Sequence, residues 1–378
     1  MNPRQRYIET LTFGTPDKVP LQPGWGRRPT LEAWHNQGLP RDKGLGGVQD
    51  YLWEILGIEK DIYTKQFASH GVDLLMYPQF EEKILEHKDG HYIVQDWKGN
   101  ICEISDEFGV TDLRTAVDFV TRSWIKCPVE NRDDWEQMKT RYNPDSPERF
   151  PADFDEHARI LKDRDYIAGI CFSGTFWQMR EWLGFENLCM LLVEDPDWVA
   201  EMAEFHTNFI LKMLEKIYEK FIPDEIMISE DMAYKAKSMI SPGMARDICA
   251  PAWKSWARQA KQAGVPIVGL DSDGYIGELI PLWIEAGIDY TVPVEVAAHC
   301  NIAEFRSLYG HKMAYSGGID KRCIAKGGQA IIDELKRIEP VLKDGGYLPC
   351  CDHAVPHDVS WPNYVEYTRL LAQMTGWL

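Results

Sequence analysis

The sequence predicts a (β/α)8 barrel, an α/β fold, and three observations lead there. Eight short apolar runs recur along the chain, each closed by polar residues or proline. The later runs are separated by stretches of helical period that finish in glycine, the usual punctuation between a helix and the next buried strand. No glycine-rich phosphate turn follows the first run: PGWGRRP fits neither G-x-G-x-x-G nor a P-loop, which argues against an open doubly wound sheet. Short buried strands alternating with helices imply a parallel sheet, and about eight of them close it into a barrel.

The elements follow in order. MNPRQRYIETLTFG reads as a polar, amphipathic helix and not as a signal peptide. TPDKVPLQPGWG is a turn leading into a first strand at Val19–Gln22, and GVDLLMYPQF carries a second at Val72–Tyr77. From about Glu81 to Asp165 the chain turns polar and rich in Asp and Trp (VQDWKGNICEISDEFGVTDLR), which predicts an inserted hairpin followed by a helical segment. The remaining strands are DYIAGICFSG, DEIMISEDMA, VPIVGLDSDG, IDYTVPVEVA, KMAYSGGID and GGYLPCCDH. Helical segments such as MARDICAPAWKSWARQAKQAG and RCIAKGGQAIIDELKRIEPVLKDGG lie between them. A barrel of this size forms one unit, so residues 1–378 are read as a single domain.

Composition narrows the function. With 59 acidic and 41 basic residues the formal charge is −18, which repels phosphate backbones and anionic membranes and makes nucleic acid an unfavourable partner. No apolar run approaches the ~20 residues that cross a bilayer, and a cytoplasmic location is expected. Nine cysteines, an odd number spread along a large chain, predict reduced thiols.

In a barrel, the C-terminal strand ends share one mouth. The fourth run ends in Ser229-Glu230-Asp231, the fifth in Asp271-Ser272-Asp273, the sixth in Glu295 with His299 and Cys300 following, and the eighth in Cys350-Cys351-Asp352-His353. Each taken singly reads as a helix cap or loop carboxylate. Several carboxylates around one rim raise each other's energy unless a cation offsets them. A divalent metal meets that need, and a mixed Asp, Glu and Cys set suits zinc better than magnesium or calcium.

Blocks along most of the chain carry a family resemblance: NPRQRYIETLTFGTPDKVPL, SGTFWQMREWLGFENL, SEDMAYKAKSMISPGMAR, DSDGYIGELIPLWIEAGID, PVEVAAHCNIAEFR, SGGIDKRCIAKGG and GGYLPCCDHAVPHDVSWPNYVEY. The sequence resembles the uroporphyrinogen decarboxylase superfamily, especially its corrinoid-dependent methyltransferase branch (O-demethylase or methylcobamide methyltransferase-like). The arginine-rich segment with which the decarboxylase proper grips a porphyrinogen is replaced here by LQPGWGRRPTLEAW. Thiol methyltransferases of the superfamily carry His-x-Cys-Gly after the fifth strand, a glutamate after the sixth and a cysteine after the eighth. Asp271-Ser272-Asp273-Gly274, Glu295 and Cys351 stand at the matching positions.

The resemblance therefore implies zinc on Asp271, Asp273, Glu295 and Cys351, with Cys300 and His299 in reserve. Carboxylates in place of imidazole and thiolate harden the metal and favour activation of an ether oxygen over a thiolate. The expected reaction is methyl transfer from a methoxylated, aromatic small molecule to the cobalt of a corrinoid protein. No D-x-H-x-x-G cobalamin signature occurs in the chain, so the corrinoid is expected on a separate partner. Tyr234 and His353 are the candidates for hydrogen bonding or proton transfer at the leaving oxygen. Trp25, Arg27, Trp177, Arg180 and His299 are the candidates for the substrate cavity, rings meeting a ring and arginine a carboxylate. The rival enzyme reading is a cofactor-free decarboxylase of an unknown acid; a homodimer is left open.

Overall fold

Two sheets organise the chain in the computed structural model, which describes residues 1–58, 70–115 and 120–378. The first is antiparallel and lies within the polar segment: β1 (Lys83–Lys88), β2 (His91–Gln95), β3 (Ile101–Ser105) and β4 (Arg122–Lys126), in that order. It has a small core of its own, Val94, Cys102, Ile104 and Val120.

The second sheet is parallel and six-stranded: β5 (Gly169–Ser173), β6 (Glu225–Ser229), β7 (Ile267–Asp271), β8 (Tyr290–Val294), β9 (Ala314–Ile319) and β10 (Tyr347–Cys351). Each pairs with its neighbour in sequence, giving the order β10-β9-β8-β7-β6-β5. Helices connect the strands, as parallel crossovers require.

Both faces of this sheet are covered, which is why its strands read as nearly unbroken apolar runs. Ile226, Ile228, Val268 and Leu270 pack outward into the large core shared with the helices. Met227, Ile267, Tyr290, Ala314 and Leu348 face the other way and meet Tyr7 and Leu11 of α1 (Pro3–Leu11). That helix starts cleanly because Asn2 and Gln5 form a capping box with Pro3 in the first turn. It plugs the N-terminal end of the sheet. Burying Leu11 contributes about 2 kcal/mol, and the Tyr7 hydroxyl donates to buried Glu225 at 2.6 Å.

The two strands expected nearest the N-terminus are not strands. Val72, Leu74 and Met76 are buried as an apolar run should be. Their backbone is satisfied elsewhere: Asp73 N donates to Arg149 O at 2.8 Å and Tyr77 N to Arg141 O at 2.8 Å. The fully buried Arg149 guanidinium donates to the carbonyls of Asp73, Leu75, Arg141 and Asn143 at 2.7–2.9 Å. One arginine thus replaces a ladder partner. Val19–Gln22 likewise joins no strand: Val19 N donates to Thr375 O at 3.2 Å and Val19 O accepts from Trp377 Nε1 at 2.8 Å. The chain just after it lies against β10, where a Cβ on Gly24 would stand 2.8 Å from Cys351 Cβ. The regular ladder therefore comprises six parallel strands, and the expected eight-stranded closure is not formed by strand pairing among the described residues.

None of the nine cysteines is in a disulfide. Among the described residues no helix is long and apolar enough to cross a membrane.

Candidate metal centre

The turn after β7 builds the site. Asp271 closes the strand, and its carbonyl accepts from Glu230 N at 2.8 Å. Asp273 N donates to the Asp231 carboxylate at 2.9 Å, and Gly274 N donates to Glu295 Oε2 at 2.8 Å. Gly274 has φ +85°, and a Cβ there would sit 2.7 Å from the Ala233 carbonyl. Only glycine permits that close approach of the β6 and β7 loops.

Glu295 follows β8 and begins the short helix Val296–Ala298. Asp352, fully buried after β10, fixes that helix by accepting from Val296 N at 3.0 Å. The next residue, His353, reaches back across the rim: its Nε2 stands 3.4 Å from Asp273 Oδ2. Asp273, Glu295 and His353 each offer a ligand atom, and these atoms all lie within 4.8 Å of one another.

Two carboxylates and an imidazole are a group of side chains that could hold a divalent metal ion, and zinc accepts both kinds of donor. Ligand atoms about a tetrahedral zinc stand ~3.4 Å apart, closer than the 4.8 Å that bounds this group. Burial, and then the neighbouring Asp273, raise the Asp231 carboxyl above its ordinary range. Burial also raises Asp352, against the opposing pull of Lys321. The bond to Asp273 raises the His353 imidazole, opposed by burial. An acidic rim of this kind is stabilised by a bound cation.

Beside His353 opens a cleft of about 300 Å³ lined by Arg27, Pro29, Thr30 and the segment from His353 to His357. Its walls are tied together, with Val355 N donating to Trp25 O and Thr30 Oγ1 to Val355 O, both at 2.8 Å. The Arg27 guanidinium lies 6.0 Å from the ring of Trp25, which is 60% exposed.

The remaining candidates stand apart from the three-residue group. Asp271 lies one turn position back, at the strand end. Cys300 is buried and donates its thiol to Gly274 O at 3.3 Å; burial pushes that thiol up to about 11. Cys351 is buried in the outer core, and burial raises its thiol well above the ordinary value. His299 is exposed in a left-handed conformation with φ +68°. Arg180 stacks on Trp177 at 4.3 Å and donates to Asp231 O at 3.3 Å, so it reaches the rim through Asp231. Tyr234 is 54% exposed; its backbone carbonyl accepts from Tyr275 N at 2.9 Å, beside Gly274.

Lys321, which follows β9, belongs to the neighbourhood but not to the candidate set, because lysine is not a usual metal ligand. The strand-end rule applied to KMAYSGGID would have found it. Glu230, fully buried at the end of β6, accepts from Phe176 N at 2.6 Å at the start of the helix Thr175–Leu183. Its other oxygen occupies the place of a side chain on Gly174, where a Cβ would lie 1.2 Å away. Burial raises its carboxyl to about 8.

No family model matches the chain, and no curated protein matches its sequence. Among solved structures, a methyltransferase from Methanosarcina mazei is similar over 99% of this chain and 98% of its own, with a TM-score of 0.57 and 11% identity. A B12-independent methionine synthase from Shewanella sp. W3-18-1, in complex with selenomethionine, covers 94% of both chains with a TM-score of 0.42 and 13% identity. At such identities the first likeness is one of fold.

Proposed function

We propose that the chain is a zinc-dependent methyltransferase that moves a methyl group from a methoxylated, aromatic small molecule to the cobalt of a corrinoid carried by a separate protein, within a barrel whose first two strand positions are irregular. The observation that carries the reading is the convergence of Asp273, Glu295 and His353 from three strand ends beside a ligand-sized cleft. The likeness in fold to a protein titled a methyltransferase supports it.

Asp273, Glu295 and His353 are the residues that would hold the metal. Bound there, zinc supplies Lewis acidity to the substrate oxygen. The residues around it do the rest. Arg27, at the cleft wall, meets an anionic substituent on the substrate, and the Trp25 ring offers an apolar face to its aromatic body. Gly274 N and the buried Asp352 hold Glu295 in place, and Asp231 holds the turn that carries Asp273. Tyr234, at the rim, presents a hydroxyl to the incoming partner and substrate.

The test is to incubate the zinc-loaded protein with a reduced corrinoid protein and a panel of methoxylated aromatics. Methylcobalt absorbance should rise and should depend on zinc. Release of carbon dioxide from an acid without any corrinoid would favour the decarboxylase instead.

A further inference from the structure

We infer that Lys321 is a further catalytic residue of this site, its ammonium group meeting the negative charge that develops on the oxygen as the methyl group leaves. The inference rests on the methyl-ether reading above. Lys321 Nζ lies 3.7 Å from Glu295 Oε1 and 3.7 Å from Asp352 Oδ1, with the side chain 20% exposed. Both separations exceed a hydrogen bond. Neighbouring pairs are closed: Arg322 grips Asp320 at 2.8 Å, and Arg337 reaches Gly318 O at 2.6 Å.

The groups that Lys321 faces have main-chain donors as well as its charge, which opposes the effect of burial on Asp352. Asp352 accepts from the main-chain N–H groups of Val296, Ala297 and Lys321 itself, at 3.0, 3.4 and 3.4 Å. Glu295 accepts from Gly274 N. A cation held to two carboxylates only at ion-pair distance, beyond hydrogen-bond reach of either, therefore stands next to a member of the metal group. Its base is rigid. Asp320 caps the helix Lys321–Lys326 by accepting from Arg322 N at 2.9 Å, and Asp320 N donates to Glu334 at 2.7 Å. The side chain leaves the end of β9 between the loops that carry Glu295 and His353, which follow β8 and β10.

In the transfer, the ether C–O bond breaks and the oxygen keeps that electron pair. The methyl carbon bonds to cobalt through the electron pair of the reduced Co(I) corrinoid. The phenolate so formed accepts a hydrogen bond from Lys321 Nζ, and no proton need move. Preorganised charge aimed at a developing oxyanion is among the strongest catalytic devices.

The experiment compares zinc-loaded wild type with Lys321→Met and Lys321→Arg. Zinc content and thermal midpoint should be unchanged. Binding of 4-nitrophenolate, followed by its absorbance, should weaken by about tenfold or more in Lys321→Met and much less in Lys321→Arg. Methyl transfer from methoxybenzenes graded by the acidity of their phenols should fall most for the poorest leaving groups. Unchanged phenolate affinity, or an equal loss across the series, would overturn the assignment. So would loss of zinc from Lys321→Met, which would make the lysine a support of the metal group. A wild type that neither binds phenolate nor transfers methyl overturns the methyl-ether reading, and the role of Lys321 with it.

Discussion

His353 Nε2 lies 3.4 Å from Asp273 Oδ2, although their strands, β10 and β7, are separated in the sheet by β8 and β9. In a flat sheet, three strand spacings put such ends ~14 Å apart. The contact therefore requires the sheet to curl around its rim, and it brings an imidazole onto a carboxylate where a metal is proposed. Because Asp273 raises the imidazole, more of it is protonated at neutral pH than in free histidine. Zinc must displace that proton. Zinc binding near neutral pH should release protons, and affinity should fall as the pH falls. Calorimetry in buffers of different ionisation enthalpy measures the release, which His353→Gln should diminish.

Gly274→Ala tests the close approach of the β6 and β7 loops. The substitution forces φ +85° on a residue with a Cβ and drives that Cβ against backbone at 2.7 Å. It should cost about 2–4 kcal/mol and weaken zinc binding, since Gly274 N holds Glu295. Denaturant unfolding and a zinc titration read the two effects; a variant as stable as wild type contradicts the packing described.

Arg149→Met should be among the most destabilising single changes in the chain. It removes the guanidinium donor from four part-buried carbonyls, of which Arg141 O keeps Tyr77 N, at about 1 kcal/mol for each one left unsatisfied. Arg149→Lys should rescue little, because an ammonium cannot span carbonyls arranged around a planar guanidinium. Urea midpoints for both variants check this.

How much of this was legible in the sequence differs by residue. Apolar runs ending in Asp, Glu or His mark β7, β8 and β10, and the rule that strand ends share a mouth brings Asp273, Glu295 and His353 to one rim. The reading from sequence, however, puts the metal on Asp271, Asp273, Glu295 and Cys351 and casts His353 in proton transfer; only the structure groups His353 with the two carboxylates. The phase of β10 is harder. Tyr347, Pro349 and Cys351 form one face and Leu348 and Cys350 the other, both apolar, so the pattern does not say which cysteine faces the helices. The structure buries Cys351 there, among residues of the outer core. Val72–Tyr77 has the composition of a strand, and its failure to pair depends on Arg149, whose role no local pattern announces.

Glu230 should make stability depend on pH. Its carboxyl ionises near an ordinary 4.5 when unfolded and near 8 when folded. Below the lower value both states are protonated and its contribution is fully present. As the pH rises towards 8 the unfolded state gains by ionising first, so stability falls, by up to ~1.4 kcal/mol per pH unit. Glu230→Gln should remove that part of the slope. Unfolding free energies of both proteins at pH 5 and pH 8 test it, and an identical slope would show that Glu230 is not held neutral.

The most direct measurement is the zinc content of protein purified without chelators, by plasma mass spectrometry, for wild type, Asp273→Asn, Glu295→Gln, His353→Ala and Cys351→Ser. The metal centre described here predicts about one zinc per chain in wild type and in Cys351→Ser, and strong depletion in the other three. A folded wild type that stays metal-free in the presence of zinc, or zinc lost only from Cys351→Ser, would contradict it.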